Sequence, residues 1–381
     1  MVSQTVTTSS GRSDAWKAEL VKNFVGKRLD EVRTPTLVID RAILERNCRK
    51  LSALKSLQVK ARVHVKTHKT VEATALQLEG ADTDAIIVST LAEARAMAYS
   101  ELARQKKLKQ INRMVSVTVA DGLEALDALE AYCNDHAVTS KFRVFIKVDC
   151  GYHRAGTPVE GDETIQLAKR LASSPHVVLE GLYSHAGHSY SSNNPQEATQ
   201  YLKTECDMAR AFRDLLQSHG VEVRCVSIGA TPTVQAILQA SDAATLLEGI
   251  DEVHCGAYTL LDRQQMATGL CSVEDVAVTV ACRVASVYAD RVLLDGGALA
   301  FSKDTAPQGG FGMVLGTGDT LTKVSQEHGI LSNPSSSYRL GQVVRVVPNH
   351  CCLTAACHLY YLVVDDEKDT IKDVWVPVRG W

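Results

Sequence analysis

Between Thr34 and about Asp262 the chain alternates short β-branched runs with stretches whose apolar residues recur at helical spacing. The strand-like runs are Thr36–Asp40, Arg62–Thr67, Ala85–Ser89, Met114–Val119, Phe142–Val148, Val177–Ser184, Val223–Ile228 and Glu252–Tyr258. Between them lie helical patterns such as Arg41–Leu54, with Ile43, Leu44, Leu51 and Leu54 on one face, and Asp121–Tyr132. Eight strands alternating with helices predict a closed parallel (β/α)8 TIM-like barrel, with a doubly wound open sheet as the alternative. After about residue 263 helical periodicity becomes scarce. VAVTVACRVASVY, RVLLDGG, QVVRVVPN, HLYYLVV and KDVWVPV read as strands of a C-terminal antiparallel β domain, with DDEKD as a hairpin tip. The expected division is an N-terminal segment 1–33 packing on the β domain, a barrel 34–265, and a β-rich domain 266–381.

Length and composition narrow the class. The chain has 381 residues, 45% hydrophobic and 22% charged, with a formal net charge of -3, enough for one large core and a smaller one. No basic stripe suggests nucleic acid or an anionic membrane. The longest apolar runs are strand-sized, far short of a membrane helix. The polar start MVSQTVTTSSGRSDAW lacks the apolar core of a signal peptide, so a soluble cytoplasmic protein is expected. Eleven cysteines, an odd count, argue for buried reduced thiols rather than a disulfide framework.

Four segments carry candidate chemistry. In ARVHVKTHK, strand alternation puts His64, Lys66 and His68 on one face. A lysine at a barrel mouth among β-branched residues suits a Schiff base with a carbonyl; the alternative is a surface lysine at a strand edge. In VRCVSIGATPTVQAIL, a strand meets a glycine turn and a helix with Thr231 as N-cap and Pro232 at the first helical position. That helix start could hold a phosphate, together with Gly256 of the following strand, or be an ordinary capped helix. KVDCGYHRAG places Arg154 at the barrel mouth, to stabilise a phenolate or carboxylate or merely to pair with an acid. In RVVPNHCC, His350 and Cys352 face one side of an extended segment. They form a zinc-type pair with positions left for water and substrate, or else a buried thiol beside a hydrogen-bonded histidine.

In combination these motifs resemble the fold-type III pyridoxal-phosphate (PLP) enzymes, specifically the eukaryotic-type D-serine dehydratase and D-threonine aldolase group. The resemblance runs through TPTLVID, RVHVKTHK, VSTLAEA, VDCGYHRAG, EGLYSHAGHSY, VSIGATPT, EVHCGAYTLLD, DGGALAFSKD, SQEHG, VPNHCC and VWVPVRGW, nearly the whole chain in order. It implies an alanine racemase-like barrel and β domain. It implies Lys66 as the Schiff-base lysine, Arg154 at the cofactor's phenolic oxygen, His185 near its ring and Tyr190 at the mouth. Gly229, Ala230 and Thr231 would bind phosphate with Gly256 and Tyr258, and His254 falls where related racemases carry an arginine facing the pyridine nitrogen. A His-x-Cys pair, here His350 and Cys352, is similar to the zinc ligands of the dehydratases, whereas the aldolases carry aspartate second. Cys351 between the ligands and Cys255 before Gly256 depart from the commoner pattern. The implied reaction is zinc-assisted elimination of water from D-serine, or a similar D-3-hydroxyamino acid, giving pyruvate and ammonia in a head-to-tail homodimer. Retro-aldol cleavage of D-threonine and a non-catalytic PLP-binding role are the alternatives.

Overall fold

The computed structural model describes residues 10–113, 122–365 and 369–381, and divides into two sheets. The first strand, β1 (Thr36–Asp40), is followed by seven that alternate with helices: β2 (Lys60–His64), β3 (Ala85–Val88), β4 (Gln110–Arg113), β5 (Phe142–Lys147), β6 (Val177–Tyr183), β7 (Cys225–Ile228) and β8 (Glu252–Cys255). These seven form one sheet in the order β4-β3-β2-β8-β7-β6-β5, every pair parallel. The β2–β8 pairing, with Arg62 opposite His254, curls the ends of the sequence run together as barrel closure requires. The expected strand Met114–Val119 and the start of the helical pattern at Asp121 lie outside the described residues.

One strand belongs elsewhere. β1 was expected to open the barrel, but it pairs antiparallel with β9 (Val278–Val287) and parallel with β15 (Tyr361–Val364). Its TLVID sequence is buried along its first four residues, as a central strand of a second sheet must be. Periodicity could not reveal this, because a strand's sequence does not name its neighbours. The second sheet also holds β10 (Arg291–Leu294), β11 (Gly312–Val314), β12 (Leu321–Val324), β13 (Gly329–Ser332), β14 (Val343–Pro348) and β16 (Ile371–Trp375). Its order is β12-β13-β10-β9-β1-β15-β16, with β14 pairing β9 and β11. Every described pairing but β1–β15 is antiparallel. Helix Ser10–Phe24 lays Leu20, Val21 and Phe24 against Val364 and Ile371 of this sheet. Of the expected hairpin tip, residues 366–368 lie outside the described residues.

Apolar residues on the outer face of the barrel strands, such as Val63, Val226, Ile228 and Val253, pack against Leu51, Leu54, Leu202 and Ile237 of the surrounding helices. The alternate residues are polar and meet across strands. Arg62 pairs with Glu252 at 2.8 Å, Ser227 donates to Glu252 at 2.8 Å, and His254 lies 3.0 Å from the Ser227 hydroxyl. Tyr183 stacks on His254 at 4.1 Å. A barrel whose interior is lined this way needs those groups hydrogen-bonded, and their C-terminal ends lead to the candidate site.

Candidate functional site

β2 ends at His64, two residues before Lys66, and the chain turns. The Lys69 N–H closes the turn on the Val65 carbonyl at 2.8 Å, with Lys69 itself at φ +57°. The Lys69 ammonium pairs with the fully buried Glu93 carboxylate, which locks the turn in place. The expected shared face of His64, Lys66 and His68 is therefore corrected. His68 accepts from the Thr70 N–H at 3.1 Å and turns its other nitrogen to Gln77 at 2.9 Å, on the helix side. His64 stays with Lys66: its Nδ1 accepts the Lys66 N–H at 3.2 Å.

Around that turn the structure gathers most of the predicted residues. Gly229 has φ +145°, and a Cβ there would stand 2.1 Å from the His254 carbonyl oxygen, so only glycine lets β7 pass β8 so closely. A Cβ on Gly256 would meet the His64 carbonyl oxygen at 3.1 Å and Thr67 Oγ1 at 3.3 Å. Helix Thr231–Gln239 begins here, with Ala230, not Thr231, in the extended capping position. Ala230 donates its N–H to Thr233 Oγ1 at 2.9 Å, leaving the Thr231 hydroxyl buried without a hydrogen bond. Tyr190 faces Thr231, and burial pushes its phenol up. His185 lies 2.9 Å from the Gly229 carbonyl through Nδ1; burial, then the nearby Lys66 charge, pushes it down to about 3. Burial also holds His64 and His254 well below the usual imidazole range, so all three rings are neutral at pH 7. Arg154 is exposed at the mouth, its guanidinium 5.2 Å from the Tyr152 ring centre. Tyr258 departs from expectation. Its ring joins the barrel's outer core and its hydroxyl turns to Cys48 and Gln77, on helices outside the sheet, not to the Gly229–Thr231 turn.

His350 and Cys352 are not on an extended segment. Cys351–Ala356 is a helix with His350 in the capping position and Cys352 in its first turn, which brings imidazole and thiol together. Cys352 Sγ lies 3.2 Å from Thr67 Oγ1, the residue after Lys66. Its thiol is held well below the usual range by a hydrogen bond with Cys351, and then by His350, against the opposing effect of burial. His350 moves the other way: burial lowers it, but the hydrogen bond and charge of Cys352 raise it to about 9. Cys351 is fully buried, its Sγ 4.0 Å from that of Cys352 and its N–H donating to Asp262 at 2.8 Å. Of the two thiols, only Cys352 reaches toward the Lys66 turn. Among the described residues no group of three or more His, Cys, Asp or Glu is arranged to enclose a metal.

Two groups escaped sequence reading. Asp304 hydrogen-bonds His350 Nδ1 from 46 residues away in the chain. Glu205, fully buried, accepts from the Ser184 hydroxyl at 2.6 Å, the Ala186 N–H at 3.1 Å and the Gly229 N–H at 3.2 Å. Glu205 lies on an amphipathic helix, where its spacing places it on the buried face; an acid there is the signal that could have found it.

Comparison with known proteins places these features in context. Residues 39–263 match the family model for the alanine racemase N-terminal domain, and residues 277–364 match a putative serine dehydratase domain. The D-serine dehydratase of Schizosaccharomyces pombe is 35% identical, covering 96% of this chain and 96% of its own. An alanine racemase-like protein from Idiomarina loihiensis superposes with a TM-score of 0.78 at 30% identity, over 93% of this chain and 99% of that one. D-threo-3-hydroxyaspartate dehydratase from Delftia sp. HT23 superposes with a TM-score of 0.77 at 28% identity, over 93% of this chain and 100% of that one. A cysteine-to-alanine mutant of D-threo-3-hydroxyaspartate dehydratase has been solved in a metal-free form.

Proposed function

Because this chain belongs to the alanine racemase N-terminal-domain family, and within it groups with the D-serine dehydratases, we propose that it eliminates water from D-serine to give pyruvate and ammonia. PLP and zinc are the cofactors of this reading. The observation that carries it is the 3.2 Å approach of Cys352 Sγ to Thr67 Oγ1, which brings the proposed ligand pair beside the turn that carries Lys66.

The residues fit PLP. The buried and unpartnered His64 Nε2, Thr231 Oγ1 and His254 Nε2 are polar atoms that a bound group would satisfy. Gly229 and Gly256 let the two turns approach His254 and His64 more closely than any residue with a Cβ could, which keeps their backbones together at this end of the barrel. Lys66 would hold the aldehyde carbon; Gly229, Ala230, Thr231 and Gly256 would surround the phosphate at the helix start. Arg154, His185 and Tyr190 would face its phenolic oxygen, its ring and the mouth. Bound there, PLP supplies an electron sink for charge developing at the substrate's α-carbon.

His350 and Cys352 fit zinc, a borderline-soft ion that takes nitrogen and sulfur. Zinc would supply a Lewis acid for the substrate's β-oxygen, a poor leaving group as hydroxide. Lys66 is the amine placed to take the α-proton. The neutral His64, His185 and His254 add no competing positive charge beside it.

The fully buried Cys351, in contrast to Cys352, favours a single His-x-Cys ligand pair and hence the dehydratase over the aldolase reading. Exposed Leu299, Leu353 and Leu359 lie on and around the outer face of the helix carrying Cys352 and support a homodimer in which a second copy covers the site. All eleven cysteines are free, in keeping with a cytoplasmic protein; no described helix is long and apolar enough to cross a membrane.

Incubation with D-serine should release pyruvate and ammonia in equal amounts, with L-serine inert. Zinc chelation should abolish turnover while the absorbance of lysine-bound PLP survives. Glycine and acetaldehyde from D-threonine, with no pyruvate from D-serine, would transfer the chain to the aldolase reading.

A further inference from the structure

We propose that Asp304 is the positioning carboxylate of the metal site: it accepts the Nδ1–H of His350 and thereby leaves Nε2, turned to Cys352, as the nitrogen that gives up its proton to a metal. The inference rests on the zinc reading above. His350 contacts two groups, Asp304 and Cys352. Nδ1 is committed to Asp304, so Nε2 is the nitrogen left to share an ion with the thiolate. A carboxylate on the remote nitrogen fixes the tautomer, sets the ring plane and raises the basicity of the ligating nitrogen.

The surroundings argue that this contact is built. The pair itself is a third exposed, 28% and 35% by side chain, and an ion pair that open to water adds little to stability. Yet the loop carrying Asp304 is clamped from several sides by hydrogen bonds, most of them from the buried side chains of Asn349 and Arg263. Asn349, the residue before His350, donates to the carbonyls of Asp304 at 2.9 Å and Gly310 at 2.8 Å. Its own side-chain oxygen accepts from Arg263 at 2.8 Å, and Arg263 reaches the Gly309 carbonyl at 2.9 Å. Arg263 is 4% exposed and Asn349 2%. Gln264 adds a bond to the Thr305 carbonyl at 2.8 Å. So much order around a weak surface pair makes sense if what it holds is a direction in space: the bearing of one imidazole ring.

The test uses the PLP-loaded enzyme and reads zinc rather than turnover. Zinc affinity is measured by competition with a chromophoric chelator for wild type, Asp304→Ala, Asp304→Asn and Asp304→Glu. The expected result is one zinc per chain in wild type and a 10- to 100-fold weaker Kd in Asp304→Ala, about the range such outer partners command. Asn, which keeps an acceptor but no charge, should fall between, and Glu should recover part of the loss. PLP absorbance and melting temperature should stay near wild type, because a general loosening would move those as well. Nitrogen-15 spectra of the metal-free protein, recorded well above the value of about 9 to which its neighbours raise His350 so that the ring is neutral, give a second readout: His350 should carry its one proton on Nδ1 in wild type and lose that preference in Asp304→Ala. An unchanged Kd in Asp304→Ala, or a wild-type proton on Nε2, overturns the proposal while leaving the zinc reading intact. A wild type that takes up no zinc ends both.

Discussion

Glu205 shows how one side chain couples the site to the solution. Burial raises its carboxyl to about 7 from an ordinary 4.5, against the lowering effect of the Ser184, Gly229 and Ala186 bonds. A raised folded-state value favours the protonated form, so this stabilisation is full below about pH 4.5 and is lost as pH rises through about 7. Glu205→Gln keeps an acceptor for all three donors and cannot ionise. It should melt higher than wild type at pH 8, by an amount on the order of 2 kcal/mol, and match it at pH 5. Thermal melts across that range decide the matter; equal pH slopes would show that Glu205 does not titrate there. At the ligand pair, Cys352→Ala should abolish zinc uptake and turnover. Cys351→Ala should keep both and lose about 1–3 kcal/mol from the vacated space, read by metal analysis and denaturant midpoint. Lys66 and the His350–Cys352 pair could be singled out in the sequence because RVHVKTHK and VPNHCC resemble motifs of a known family; spacing alone left a surface lysine and a buried thiol open. Asp304 could not, because nothing in a sequence marks a carboxylate that returns to a ring 46 positions away.

At the scale of elements, turn chemistry decided where side chains point. ARVHVKTHK reads as one long strand, yet Thr70 caps helix Val71–Gly80 through the Ala73 N–H and Lys69 adopts a left-handed conformation, so the strand stops at His64. Likewise RVVPNHCC reads as extended, but Pro348 ends β14 and the chain turns into a helix at Cys351. The pairing of His350 and Cys352 survived this error, since residues at a cap and in the first turn are as close as alternate residues on a strand. The glycine turn after β7 gives a prediction of its own. Gly229→Ala would force a Cβ to 2.1 Å from the His254 carbonyl at a φ few other residues tolerate. It should destabilise by about 3 kcal/mol or more and weaken PLP retention, checked by melting and by cofactor release on dilution.

For the whole molecule, barrel plus β domain was readable from the switch in periodicity near residue 263, but the membership of β1 was not. That strand fills the space between β9 and β15, with its centre fully buried. A chain lacking residues 1–40 should therefore fail to give soluble protein, although the shortened chain keeps every described barrel strand and both proposed metal ligands. Recovery of a folded, PLP-binding product from it would show that the second sheet does not need its central strand.

The pairing of Leu37 with Tyr361 also fixes an order of events. At roughly 5–20 residues per second, a ribosome finishes the partner of β1 tens of seconds after β1 itself has emerged. The barrel can assemble in that interval; the second sheet cannot be completed. The β15-facing edge of TLVID waits until Tyr361–Val364 has been made, and a premature stop just short of Tyr361 leaves it waiting for good. A stop codon placed just before Tyr361 should therefore yield no soluble protein, just as removal of β1 should.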